Sequence, residues 1–206
     1  MEMVLKKIIL ASKSVDRKEL FKRLNIPFIA IPSDINEEQY KDKIDDPFEL
    51  VKDLAKEKAL SVKKKITHKY PEALIIAADT IVFHNQEIIG KAKTQDEAFN
   101  ILKKLAGSSH HLITGIALIE VESNKIITES EESEVFFLNL SDEEIWNYIR
   151  TQEWRGRAGA YSIQERASFF IDSIHGSYSN VLGLPLSKIN QILKENFKIN
   201  LFNYSL

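Results

Sequence analysis

The sequence predicts an α/β fold built on a mixed central sheet flanked by helices. Strand-like apolar runs alternate with helix-periodic segments in the first half of the chain, and strand-like runs cluster in the middle. A third observation is the balance of 44% hydrophobic and 28% charged residues in 206, which excludes a largely disordered chain. That length is within reach of a single domain spanning residues 1–206.

Each element has its own justification. Residues 8–11 are a short apolar run that predicts a buried strand. Ser12-Lys13-Ser14 then leads into a helical pattern carrying Leu20, Phe21 and Leu24, with Ser14 as N-cap. Residues 28–31 predict a second strand, and the polar, acidic stretch 32–46 a long loop. Asp46-Pro47-Phe48-Glu49 sets an N-cap, a first-turn proline and a capping-box glutamate in order, opening a helix to about Thr67. At about 100° per residue, Val51, Leu54, Ala55 and Val62 share a face with Lys58 in its middle. Lys52, Lys56, Lys63, Lys64 and Lys65 mostly point elsewhere.

Residues 74–84 predict the central strand, followed after Asn85-Gln86 by a hairpin partner at 87–89. Thr94 to Glu97 forms a second capping box, opening a helix with Ala98, Ile101, Leu102 and Leu105 inward and Gly107 as its stop. Strand-like runs follow at 112–121 and 126–138, and Ser141 caps a helix carrying Ile145, Trp146 and Ile149. The stretch 154–161 is glycine-rich and basic, 168–174 is apolar, and 176–180 has turn chemistry. Leu186, Ile189, Ile192 and Leu193 mark a final amphipathic helix.

Charge and cysteine usage narrow the function classes. Lys and Arg total 28 against 30 Asp and Glu, a net charge of −2, so no global attraction to nucleic acid or an acidic membrane is expected and any anion site must be local. The absence of cysteine excludes disulfides, thiolate metal sites and Cys nucleophiles. No segment approaches ~18 consecutive apolar residues, and the first apolar run is too short for a signal peptide. The expectation is a soluble, cytoplasmic protein.

Asp79 stands inside the most apolar strand, where a carboxylate is costly unless paired, hydrogen-bonded or metal-bound. A turn toward solvent accounts for it equally well from this run alone. Glu37 and Glu38 in the acidic loop offer further oxygen ligands for Mg²⁺ or Mn²⁺. Ser12 to Arg17 joins a strand end to a helix start, an arrangement suited to phosphate, although spacing alone favours a plain capped helix. Lys58, Lys91 after Ile88-Ile89-Gly90, and Arg157 within Gly156-Arg157-Ala158-Gly159 are cations held by elements. With the serine-arginine turn they would make a polyphosphate cradle. His110-His111 enters a strand with its side chains on opposite faces and is read as structural.

These stretches, in order "LASKSVDRKEL", "PSDINEE", "LAKEKA", "AADTIVF" with "IIGKAK", "LAGSSHHLITGIAL", "AGAYSIQ" and "GSYSNVLGLPL", resemble the Maf proteins. Those are nucleoside triphosphate pyrophosphatases distantly related in fold to inosine triphosphate pyrophosphatases. The resemblance covers nearly the whole chain and implies a mixed central sheet flanked by helices, with a cleft between two lobes. It also implies hydrolysis between the α and β phosphates, a divalent Mg²⁺ or Mn²⁺ cofactor and, at family level, a homodimer. The family's catalytic acid falls on Asp79, and its phosphate and metal positions fall on Ser12, Arg17, Glu37, Lys58 and Lys91.

In the branch preferring dTTP and UTP, the specificity positions carry an arginine in a Ser-Pro-Arg-Arg turn, a threonine after the catalytic acid and a late glutamine. Here Thr80 and Gln164 are kept, whereas Val15-Asp16 replaces Pro-Arg. Asp16 beside a nucleotide is expected to alter affinity or base preference, and the substrates expected are dTTP and UTP or modified nucleotides. Ala92, Gly156-Arg157 and Glu165 are further departures, and Arg157 preserves charge without lysine's point-like geometry. The alternatives are a nucleotide sensor lacking turnover and a nucleic-acid-binding regulator of cell division, the latter opposed by the balanced charge.

Overall fold

The computed structural model describes residues 6–41 and 44–204. The first part of the acidic loop is therefore described, while residues 42–43 and the chain's first five residues lie outside. The described strands form a mixed seven-stranded sheet. They are β1 (Ile8–Leu10), β2 (Phe28–Ala30), β3 (Leu74–His84), β4 (Glu87–Ile89), β5 (Ser109–Glu120), β6 (Ile126–Phe137) and β7 (Ile171–His175). The order is β2-β1-β3-β5-β6-β7, with β4 paired to β3. β1 lies parallel to β2 and β3, whereas β4 on β3 and β7 on β6 are antiparallel. Flanking them are α1 (Val15–Arg23), α2 (Glu38–Lys41), α3 (Pro47–Ile66), α4 (Gln95–Leu105), α5 (Asp142–Arg150), α6 (Tyr178–Val181) and α7 (Leu186–Ile192). No described helix is long and apolar enough to cross a membrane.

By their contacts the residues fall into two units, one of Met1–Asp79, Thr114–Glu131 and Leu182–Leu206, the other of Thr80–Ile113 and Glu132–Val181. In the first, alternation along the strands serves two cores at once. Ile8, Leu10, Leu74, Ile76 and Ala78 pack with Phe21 of α1 and Ile189 and Ile192 of α7. Ile9, Ala11, Ile75 and Ala77 pack with Ala55, Ala59, Val62 and Ile66 of α3. A strand covered on both faces reads as a continuous apolar run, which is why 74–78 shows no polar alternation.

α3 begins where Asp46 accepts hydrogen bonds from the Phe48 and Glu49 N–H groups at 2.8 and 3.0 Å. Its Leu50, Val51, Leu54, Val62 and Ile66 are buried, each contributing about 1.5–3 kcal/mol by leaving water. Gly115 in β5 permits the approach of this helix: a Cβ there would lie 2.1 Å from the Val51 carbonyl oxygen and 2.5 Å from the Lys52 nitrogen.

In the second unit, Asn85 and Gln86 turn β3 into β4 with φ of 48° and 64°, the positive values a tight hairpin turn demands. Thr94 and Ser141 cap α4 and α5, and Ser141 and Glu144 complete a reciprocal capping box. Phe99 of α4 stacks on Trp146 of α5 at 4.9 Å between ring centres. The core of this unit gathers Phe137, Tyr161, Phe170 and Trp154.

Several elements depart from the sequence-based expectation. The loop at 32–46 contains the short α2, and the apolar run 168–174 resolves into a 3₁₀ turn at Arg166–Phe169 followed by β7. Residues 176–180, expected as a turn, lead into α6; Gly176 takes φ 122° where a Cβ would meet the Ser133 hydroxyl at 2.7 Å. α7 continues into a π-helical turn, Leu193–Phe197. Leu24, counted in the helical pattern of α1, is its C-cap and is exposed.

Candidate functional site

The first unit gathers its polar side chains where β1 ends and β3 continues. Leu10 is the last β1 residue in register with β3, opposite Ile76, and the Ala11 N–H donates to the Ile76 carbonyl at 2.8 Å. Beyond that rung β3 has lost its β1 partner. The next carbonyl on the same edge, that of Ala78, accepts from Arg17 Nη1 at 2.8 Å. Arg17 Nε donates to the Gly183 carbonyl at 2.6 Å, and Nη1 also reaches Ser12 Oγ at 3.5 Å. The guanidinium thus substitutes for a missing strand. Burial lowers its pKa, opposed by the charges of Asp79 and Glu37.

Ser12 is buried and receives the Ser14 N–H on its Oγ at 3.1 Å, while Ser14 caps α1 by accepting from the Arg17 N–H at 3.4 Å. Strand end, cap and arginine are therefore one local device. Asp16 sits half-buried in the first turn of α1, where the helix N-terminus favours a carboxylate.

Asp79 follows Ile75 and Ala77 on the α3 face and meets the cation on that helix's apolar stripe. Lys58 Nζ lies 2.5 Å from Asp79 Oδ1 and 2.7 Å from Glu37 Oε1. Asp79 and Lys58 are 7% and 8% exposed, so each is held by the other rather than by water. Two puzzles of the sequence, a carboxylate in an apolar strand and a lysine on an apolar helix face, have one solution. Glu38, the other acidic-loop residue, is exposed in the first turn of α2.

The second unit carries the remaining expected residues. An isolated antiparallel bridge joins Lys91 to Ala158, and the Gly159 N–H donates to the Gly90 carbonyl at 3.3 Å. These contacts bring the Gly90-Lys91 and Gly156–Gly159 segments together. Lys91 is exposed; Arg157 is half-buried, its pKa lowered by burial and raised by Glu165. Thr80 and Gln164 are half-buried. His110 is fully buried, with Nε2 2.9 Å from the Tyr161 hydroxyl, while the partly exposed His111 pairs with Glu132 at 2.9 Å. The pair therefore divides between two faces, as the strand alternation predicts.

The family described as Maf-like protein matches residues 7–196. The chain belongs to the Maf family. A dTTP/UTP pyrophosphatase of Alkaliphilus oremlandii is 45% identical over 197 residues, covering 96% of this chain and 100% of that protein. One from Thermoanaerobacter sp. (strain X514) is 44% identical over 195 residues, with 95% and 99% covered. Another, from Caldanaerobacter subterraneus subsp. tengcongensis, is 45% identical over 193 residues, with 94% and 90% covered.

In this Maf protein the sequence reading missed the main-chain half of the arginine device, the Ala78 and Gly183 carbonyls. Arg17 in a capped turn gave no sign of its remote partner, 166 positions along the chain. Asn180 was also missed: fully buried, it donates to the Leu112 carbonyl at 3.1 Å and Ser133 Oγ at 3.0 Å. Among the described residues no group of three His, Cys, Asp or Glu side chains could hold a metal. Glu37 and Asp79 do converge on one cation, Lys58 Nζ, and two carboxylates completed by phosphate oxygens and waters suit Mg²⁺ or Mn²⁺.

Proposed function

We propose that this Maf protein hydrolyses dTTP and UTP between the α and β phosphates, releasing the monophosphate and pyrophosphate. The observation that most supports this is the convergence of Lys58, Asp79 and Glu37 at the carboxyl end of the parallel β1–β3 pair. Open α/β sheets bind their ligands at that end of the strands. The relatives' shared activity supports the choice of reaction and substrate.

In the proposed reaction a water oxygen forms a bond to phosphorus and the bridging phosphoanhydride bond breaks, its electrons leaving with pyrophosphate. Asp79 accepts the water's proton; in the nucleotide-free protein its carboxylate is held by Lys58. Ser12, Arg17, Lys58, Lys91 and Arg157 bind and neutralise the phosphates, positioning being most of the work in phosphoryl transfer. Asp16, Thr80 and Gln164 select the base. Glu37 and Asp79 would hold Mg²⁺ or Mn²⁺, which supplies charge neutralisation at the phosphate oxygens.

The test is pyrophosphate release with either metal across normal, methylated and deaminated triphosphates. Asp79→Asn should lower turnover by about 10²–10⁴-fold with folding retained. Unchanged turnover in that variant would sink the assignment of Asp79. A ranking without dTTP or UTP at its head would overturn the substrate assignment.

A further inference from the structure

Lys58 has a double engagement that a phosphate ligand does not require. Its Nζ contacts a carboxylate oxygen of Asp79 at 2.5 Å and one of Glu37 at 2.7 Å, from the middle of a buried helix face. The ammonium therefore stands against both carboxylates assigned above to the divalent ion. A single positive charge between two negative ones holds them together and lowers their attraction for a second cation.

We infer that Lys58 is a resident cation competing with the divalent metal for Glu37 and Asp79, so that the metal alone binds weakly and binds well when a triphosphate draws the ammonium away. The proposal rests on the nucleotide reading for its second half only. Competition at the carboxylate pair follows from the pair's own geometry. The donor set agrees with it: no third His, Cys, Asp or Glu joins the two carboxylates among the described residues. A metal arriving with its phosphate oxygens brings ligands that the protein lacks, and Lys58 gains a phosphate partner as it gives up a carboxylate. Because coupling between two ligands is reciprocal, metal must tighten nucleotide binding by the same factor.

The measurement is Mn²⁺ binding to the protein, followed by loss of the free-ion paramagnetic resonance signal, with and without a dUTP analogue bearing a non-hydrolysable α,β bridge. Wild type should bind Mn²⁺ weakly alone. Lys58→Met should bind it of order tenfold to a hundredfold more tightly without nucleotide, the range of ordinary coupling between sites. Adding Glu37→Gln to Lys58→Met should abolish the gain. Lys58→Gln gives the same comparison should the methionine variant not fold.

Equal Mn²⁺ affinity in wild type and the Lys58 variants would overturn the competition. So would a gain that persists after Glu37→Gln, since the ion would then be elsewhere. The analogue arm separates this inference from the reading beneath it. Tightening of Mn²⁺ by the analogue in wild type, reduced in Lys58→Met, supports the coupled exchange. No tightening in wild type overturns that exchange and counts against the nucleotide reading, while a gain in Lys58→Met without analogue still upholds the competition.

Discussion

Arg17 shows how a single side chain can be both scaffold and charge. Its Nε and Nη1 donate to the Gly183 and Ala78 carbonyls, and its charge sits in the field of Asp79 and Glu37. The guanidinium is a planar fork, and lysine has no equivalent geometry. Arg17→Lys should therefore keep the charge but strand at least one carbonyl, at a cost of about 1–3 kcal/mol. The check is chemical denaturation alongside the pyrophosphate assay: stability and turnover should fall together. A variant that loses turnover with full stability would show Arg17 to act on the ligand alone.

At the level of elements, the placement of α3 decides the site. The helix is specified locally by the Asp46 cap, Pro47 and its apolar stripe, but its distance from the sheet is set by small residues opposite it. Gly115 and Ala117 of β5 alternate onto the face that α3 covers, and Gly115 lies against its backbone. Gly115→Ala should force helix and strand apart at a cost of about 1–3 kcal/mol. Because Lys58 rides on that helix, activity should fall further than stability explains. Thermal unfolding and turnover of the variant, compared with an exposed Gly90→Ala control that has nothing within 4 Å, test the point.

For the whole molecule, the buried His110 makes stability depend on pH. Burial, followed by the charges of His84 and His111, holds its pKa down at about 3, against 6.5 for an ordinary histidine. The ring is neutral when folded, whereas an unfolded chain protonates it below pH 6.5. The stability it secures is complete above pH 6.5 and is lost as pH falls from there toward 3, where the folded form also takes the proton. The slope approaches about 1.4 kcal/mol per pH unit while one proton separates the states. Urea denaturation at a series of pH values should show this acid-side slope flatten in His110→Gln. An unaltered slope would place the proton uptake elsewhere.

The sequence by itself determined the elements whose signals are local. These include the capped starts of α1, α3, α4 and α5, the hairpin at Asn85-Gln86 and the central strand at 74–84, along with the family on its ordered motifs. It also marked Asp79 and Lys58 as anomalous, because a charge within an apolar pattern demands a partner. It was less informative at 171–175 and 176–181, where five residues of strand and four of helix carry too little periodicity to distinguish them from irregular chain. Only the tertiary structure decided that the two anomalies answer each other, that Glu37 joins them, and that Arg17 completes a sheet edge through Gly183. Those contacts join residues between 21 and 166 positions apart, and they depend on the spacing between packed elements, which no local pattern encodes.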